Sequence, residues 1–260
     1  MKIIFNKEII YVLIITIIVA IMDISGIPTT LFLNLSLFDI NPIILSLFIN
    51  FIIIIGFIFL SRKLLFPSWD FAFNKKYLVE GIKKYGGVTL LIFIITTLSF
   101  YIGLKPFNYN PSVYKIIFEG IIYYIGVGLI EELYIRGLLL NAIEILFKKR
   151  NNSTLIAIII SSVIFGIGHI FGSIDSSLLV IVSKVIWTIS LGLFLGVIYK
   201  RSNCLLLSII AHSLIDFSAI AFVYKKDFYY PSVSLIIIIP LYIALGVYSI
   251  YVYKKGIYFY

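Results

Sequence analysis

Eight apolar runs divide this chain, at about 8–27, 42–61, 88–104, 113–147, 154–171, 177–199, 203–224 and 232–253, and they decide most of what it can fold into. All but the fourth, which is longer, are close to the roughly 20 residues that an α-helix needs to cross a bilayer. The runs are continuous stretches of Ile, Leu and Phe without the alternation of barrel strands, and a bilayer core admits only helices or closed barrels. The expected fold is therefore all-α, a polytopic transmembrane helix bundle of about eight spans. Composition agrees. Of the 260 residues 62% are apolar and 13% charged, where soluble domains run at about 45–50% and 25%.

The formal net charge is +9, but the basic residues stand in short clusters between the apolar runs. They form no continuous stripe, which argues against a nucleic-acid partner. Placing the N-terminus in the cytoplasm puts fifteen lysines and arginines on that side: in the N-terminal segment, in the 62–87 and 148–150 connections, at Lys200-Arg201 and at Lys254-Lys255. Only four, Lys105, Lys115, Lys225 and Lys226, fall on the other. This asymmetry predicts a multi-pass protein with both termini cytoplasmic. The abundance of Ile, Lys, Asn, Phe and Tyr is that of a low-GC genome and is consistent with a prokaryotic plasma membrane. The first run has the basic flank of a signal peptide, yet Asp23-Ile-Ser-Gly follows where a small-residue cleavage site is needed, so it reads as an uncleaved span.

In the 62–87 connection, Tyr77, Leu78, Gly81, Ile82 and Tyr85 recur at helical spacing between lysines, the pattern of an interfacial helix or else of a solvated basic loop. Tyr109, Tyr114, Tyr199, Tyr224, Tyr229 and Tyr230 lie near run ends, where interfacial aromatics anchor spans. A single cysteine, Cys204, makes no intramolecular disulfide. The organisation is one membrane domain: N-terminal spans and the basic connection over 1–112, a motif-bearing core of four helices over 113–224, and a last span over 225–260.

An ionisable side chain at mid-membrane costs at least about 2.5–3.5 kcal/mol on insertion scales, so those present face the bundle interior and carry function. The fourth run holds Glu119, Glu131, Glu132, Arg136 and Glu144, the fifth His169, the sixth Lys184, and the seventh His212 and Asp216. Both histidines of the chain are among them. Glu132 and Arg136 stand at i,i+4 and pair. Glu131 lies about 100° around the helix, unpaired by Arg136, and suits a carboxylate that accepts and returns a proton. Phe165 stands one turn before His169, and Gly166 and Gly168 thin that surface for another helix or a substrate backbone. His212 and Asp216 share a face at i,i+4. Together these supply a general base, two imidazoles and a second carboxylate, enough to ligate a metal or to activate a water and stabilise an oxyanion. The chain has no His-Glu-x-x-His and no Gly-x-Ser-Gly, and Gly166-Ile-Gly168 is followed by His169 where a membrane aspartyl protease needs Asp.

The three motifs, in this order and on separate runs, resemble the CAAX protease and bacteriocin-processing family, whose members include the type II CAAX prenyl endopeptidases. The pattern is met by Glu131, Glu132 and Arg136, then Phe165 and His169, then His212 and Asp216, over about 113–224. The resemblance implies an intramembrane endopeptidase acting on hydrophobic or lipidated peptides, with prenylated CAAX-type chains as one class. Glu131 and His169 would activate the water, His212 and Asp216 would complete the site, and Glu132, Arg136 and Phe165 would support it. The prenyl endopeptidases look to have Asn at the last position, whereas Asp216 donates no hydrogen bond unless protonated. A metal-ligand or histidine-orienting role thereby gains over an oxyanion donor. Two mechanisms stay open: zinc or another divalent metal on Glu131, His169, His212 and Asp216, or a glutamate-activated water without metal. Two other classes also stand: an ion- or proton-coupled transporter, though no paired inverted repeat is visible, and a catalytically silent scaffold or immunity protein. Gly192-x-x-x-Gly196 on the sixth run predicts close helix packing within the bundle.

Overall fold

The structure is a computed structural model, and its described residues are 7–25, 42–103, 113–220 and 232–256. Each apolar run, as far as it is described, is helical. The helices are α1 Lys7–Ser25, α2 Pro42–Leu65, α3 Lys75–Gly103, α4 Val113–Glu132, α5 Asn141–Leu146, α6 Ser153–Gly168, α7 Leu178–Ser202, α8 Leu205–Asp216 and α9 Ser232–Lys254. A π-helical segment, Leu133–Leu140, joins α4 and α5 into one rod. Among the described residues five helices are long and apolar enough to cross a membrane: α2, α3, α6 with the turn after it, α7 and α9. Around them stand α1, the charged α4–α5 rod and the shorter α8, which makes an all-α membrane bundle.

The α1 sequence shows why the bundle is apolar on both sides. Ile10, Ile14, Ile17, Ile21 and Ile24 form an exposed stripe, while Ile9, Val12, Thr16 and Val19 form a buried one, each at three- and four-residue steps. An outer face of isoleucine meets lipid tails as readily as it would meet a core. Burial of apolar surface therefore does little to hold such helices together, and contact between small residues does more. A Cβ on Gly192 would come within 3.0 Å of Ser162, and one on Gly196 within 3.1 Å of Ile158, so the small-residue stripe of α7 is an intramolecular seat for α6. On the other side of α7, Gly246 of α9 sits against Ser190.

Two expectations change. The stretch containing Tyr77 to Tyr85 is neither a separate interfacial helix nor a loop but the opening turns of α3, continuous with its span. Its lysines end the apolar run without ending the helix, because lysine is itself a good helix former. The connection that remains, 66–74, folds into the bundle. Phe66, Trp69 and Phe71 are buried, Leu205 N–H donates to the Ala72 carbonyl at 3.1 Å, and Trp69 Nε1–H donates to the Gly137 carbonyl at 2.8 Å. Tyr199 is no interfacial anchor either: it is buried, and its hydroxyl accepts a hydrogen bond from Asn141 Nδ2 at 2.9 Å. Tyr109, Tyr224, Tyr229 and Tyr230 lie outside the described residues, as do Lys2, Lys105, Lys225 and Lys226.

Candidate active site

Glu131 and Glu132 are the last residues of α4. Past them the helix switches to π geometry, with i→i+5 bonds and hence a wider turn, and all eight residues of that segment are buried. The expected i,i+4 pair is present at this junction, with Glu132 Oε1 2.9 Å from an Arg136 guanidinium nitrogen. The same oxygen accepts from His212 Nδ1–H at 2.9 Å. Arg136 also donates to the Gly192 carbonyl at 3.3 Å, and its guanidinium carbon lies 4.7 Å from the centroid of the Phe165 ring. A buried carboxylate and a buried cation are thus matched to each other, with the remaining contacts drawn from α6, α7 and α8.

Glu131 is placed differently. Its Oε2 stands 3.5 Å from His212 Nε2, and Asp216 Oδ2 stands 3.2 Å from the same nitrogen. The Glu131 side chain keeps 13% of its surface exposed, where Glu132 keeps none. His212 is therefore fixed on both sides, to Glu132 through Nδ1 and toward Glu131 and Asp216 through Nε2. Glycine brings α8 this near to α4: a Cβ on Gly128 would fall 2.4 Å from Ser213 Oγ and 3.1 Å from the Ser213 backbone nitrogen.

His169 caps the C-terminus of α6. Its Nδ1–H donates to the Phe165 carbonyl at 2.9 Å. A carbonyl only accepts, so in the neutral ring Nε2 carries the lone pair. The Phe165 ring meets both imidazoles edge-on, with centroids 4.6 Å from His169 and 5.8 Å from His212. Among the described residues no hydrogen bond joins His169 to Glu131, His212 or Asp216; it reaches them across Phe165. Glu144 belongs elsewhere, paired with Lys200 at 2.5 Å.

Each motif sits where a regular helix breaks. The glutamates stand at the α-to-π change, His169 just before the 3₁₀ turn Phe171–Ser173, and Asp216 just before the 3₁₀ turn Phe217–Ala219. Such breaks recur at functional sites because they turn side chains to angles an unbroken helix forbids. Sequence reasoning passed over two neighbours of this network. Tyr134, three residues after Glu131, donates its hydroxyl hydrogen to Asp23 Oδ2 of α1 at 3.2 Å. The signal in the sequence is an acidic residue, Asp23, inside the first apolar run.

Among the described residues no group of three or more His, Cys, Asp or Glu side chains is arranged to hold an ion. Glu132 is committed to Arg136, the Nδ1 of each histidine is taken by an acceptor, and His212 Nε2 faces carboxylates already drawn close to it.

No curated protein matches the chain. Residues 113–218 run from the start of the glutamate helix to the turn after Asp216, and they match the family model described as type II CAAX prenyl endopeptidase Rce1-like. Over that stretch the chain is similar to the type II CAAX prenyl endopeptidases.

Proposed function

We propose that this protein is an intramembrane endopeptidase that hydrolyses a peptide bond of a hydrophobic or lipidated chain, prenylated CAAX-type peptides included, through a water activated by Glu131. The observation that carries this reading is the division between two adjacent carboxylates. Glu132 Oε1 is held by both Arg136 and His212, while Glu131 faces the shared imidazole nitrogen at 3.5 Å. A carboxylate held in that way is free to exchange a proton.

The reaction needs a water that Glu131 and the lone-pair nitrogen of His169 engage together. Glu131 takes one proton, and the water oxygen attacks the scissile carbonyl carbon. As the tetrahedral intermediate collapses, the C–N bond breaks and Glu131 hands its proton to the departing nitrogen. The products are a new carboxylic acid, whose remaining proton passes to the new amine or to solvent, and that amine, and Glu131 returns to its starting state. Glu132 and Asp216 hold His212 from opposite sides, so its ring keeps a fixed orientation toward the reacting carbonyl. Exposed isoleucine and leucine on the outer helix faces suit a substrate that arrives dissolved in lipid.

The test is purified protein in lipid vesicles, supplied with a farnesylated CAAX-ending peptide or its unprenylated counterpart, with new termini read by mass spectrometry. Cleavage that is faster for the lipidated peptide and persists in strong chelator is expected. The reading is contradicted if neither peptide gains a new terminus, or if the vesicles show proton-coupled solute flux in place of cleavage. Cleavage that stops in chelator and returns with zinc would contradict the metal-free mechanism.

A further inference from the structure

The buried stripe of α1 runs Ile9, Val12, Thr16, Val19 at steps of three and four residues, and the next step falls on Asp23. The carboxylate is thus on the face that α1 turns to the bundle, in a part of the chain that precedes the matched stretch 113–218. It meets Tyr134, whose hydroxyl donates to it at 3.2 Å. Tyr134 is itself buried, in the first turn of the π-helical segment. A carboxylate is a costly way to receive a phenol in a membrane, and its advantage is the strength of a charge-assisted hydrogen bond.

The position of that bond matters because the α-to-π change occurs at Glu131-Glu132. What holds the first π turn sets the direction in which Glu131 leaves the helix. Arg136 holds the turn from one side through Glu132, and Tyr134 holds it from another through Asp23. We propose that Asp23, acting through Tyr134, is a positioning residue for Glu131, so that α1 completes an active site whose motifs all lie beyond residue 113. This rests on Glu131 being the base of the reaction proposed above. Without the contact, the junction relaxes toward ordinary helix geometry and swings Glu131 away from His212.

A double-mutant cycle tests this with Asp23→Ala, Tyr134→Phe and the pair combined, reading kcat, KM and the thermal unfolding midpoint of the full-length protein. Each single change is expected to lower kcat roughly tenfold with KM within about twofold, and the double variant to be no slower than the worse single one. Asp23→Asn, whose amide oxygen accepts the same hydrogen bond, should recover most of the rate lost in Asp23→Ala. Singles that turn over at the parental rate, losses that multiply in the double variant, or a rise in KM at constant kcat would each overturn the proposal. The unfolding cycle separates this failure from that of the proposed function. Coupled midpoints in a protein that cleaves no peptide would contradict the endopeptidase reading and leave the contact standing, whereas midpoints that add independently would contradict the contact itself.

Discussion

Arg136 is a deeply buried charge with three kinds of partner. Its side chain is 1% exposed, and its guanidinium is set against Glu132, the Gly192 carbonyl and the Phe165 ring. Arg136→Ala strands the Glu132 carboxylate and should destabilise the protein by about 3–5 kcal/mol, seen as a fall in the unfolding midpoint; an unchanged midpoint would show that the pair is not holding the site together. Lysine is no substitute, because a point charge on a flexible stem cannot serve a carboxylate, a carbonyl and a ring face at once. At this scale the sequence was informative wherever partners are four residues apart. Glu132 with Arg136 and His212 with Asp216 were both legible from helical spacing. The link from Glu132 to His212 was not, because it crosses 80 positions and depends on how closely two helices approach.

That approach is a property of elements. The α4–α8 contact closes over Gly128, where a side chain would collide with the Ser213 backbone and hydroxyl. Gly128→Val should leave helix content unchanged by circular dichroism and cut turnover by roughly a hundredfold, the cost of moving a reacting group by about an ångström. Parental turnover in that variant would mean that His212 does not need its present distance from the glutamates. Helix existence was readable from the apolar runs, but the departures from regularity were not. Leu133-Tyr-Ile-Arg-Gly-Leu-Leu-Leu140 is unremarkable as helical sequence. It is drawn into π geometry among contacts from elsewhere, including the Trp69 indole and the Asn141 amide, which both donate to the Gly137 carbonyl. The start of α3 is hidden for a different reason: a run defined by hydropathy stops at Lys83 and Lys84, whereas the helix continues through them.

For the molecule as a whole, apolar content and the absence of alternation were enough to fix an all-α membrane bundle, since a bilayer leaves few alternatives. Orientation rests on the distribution of lysine and arginine. Single cysteines introduced at positions 75 and 175 should accordingly react with an impermeant thiol reagent from opposite faces, 75 from the cytoplasm, and labelling of both from one face would refute that orientation. The participation of α1 was hidden, because Asp23 carries no motif and gains meaning only when the fold sets it beside Tyr134. Helices α1, α6, α7 and α8 all meet the rod at the α-to-π junction, where Glu132 pairs with Arg136 and Glu131 faces His212. The most direct test is therefore peptide turnover by Glu131→Gln, measured beside its unfolding midpoint. The expected result is no cleavage above background at a parental midpoint; a variant that still cleaves, or one that loses activity only because it no longer folds, would contradict Glu131 as the base.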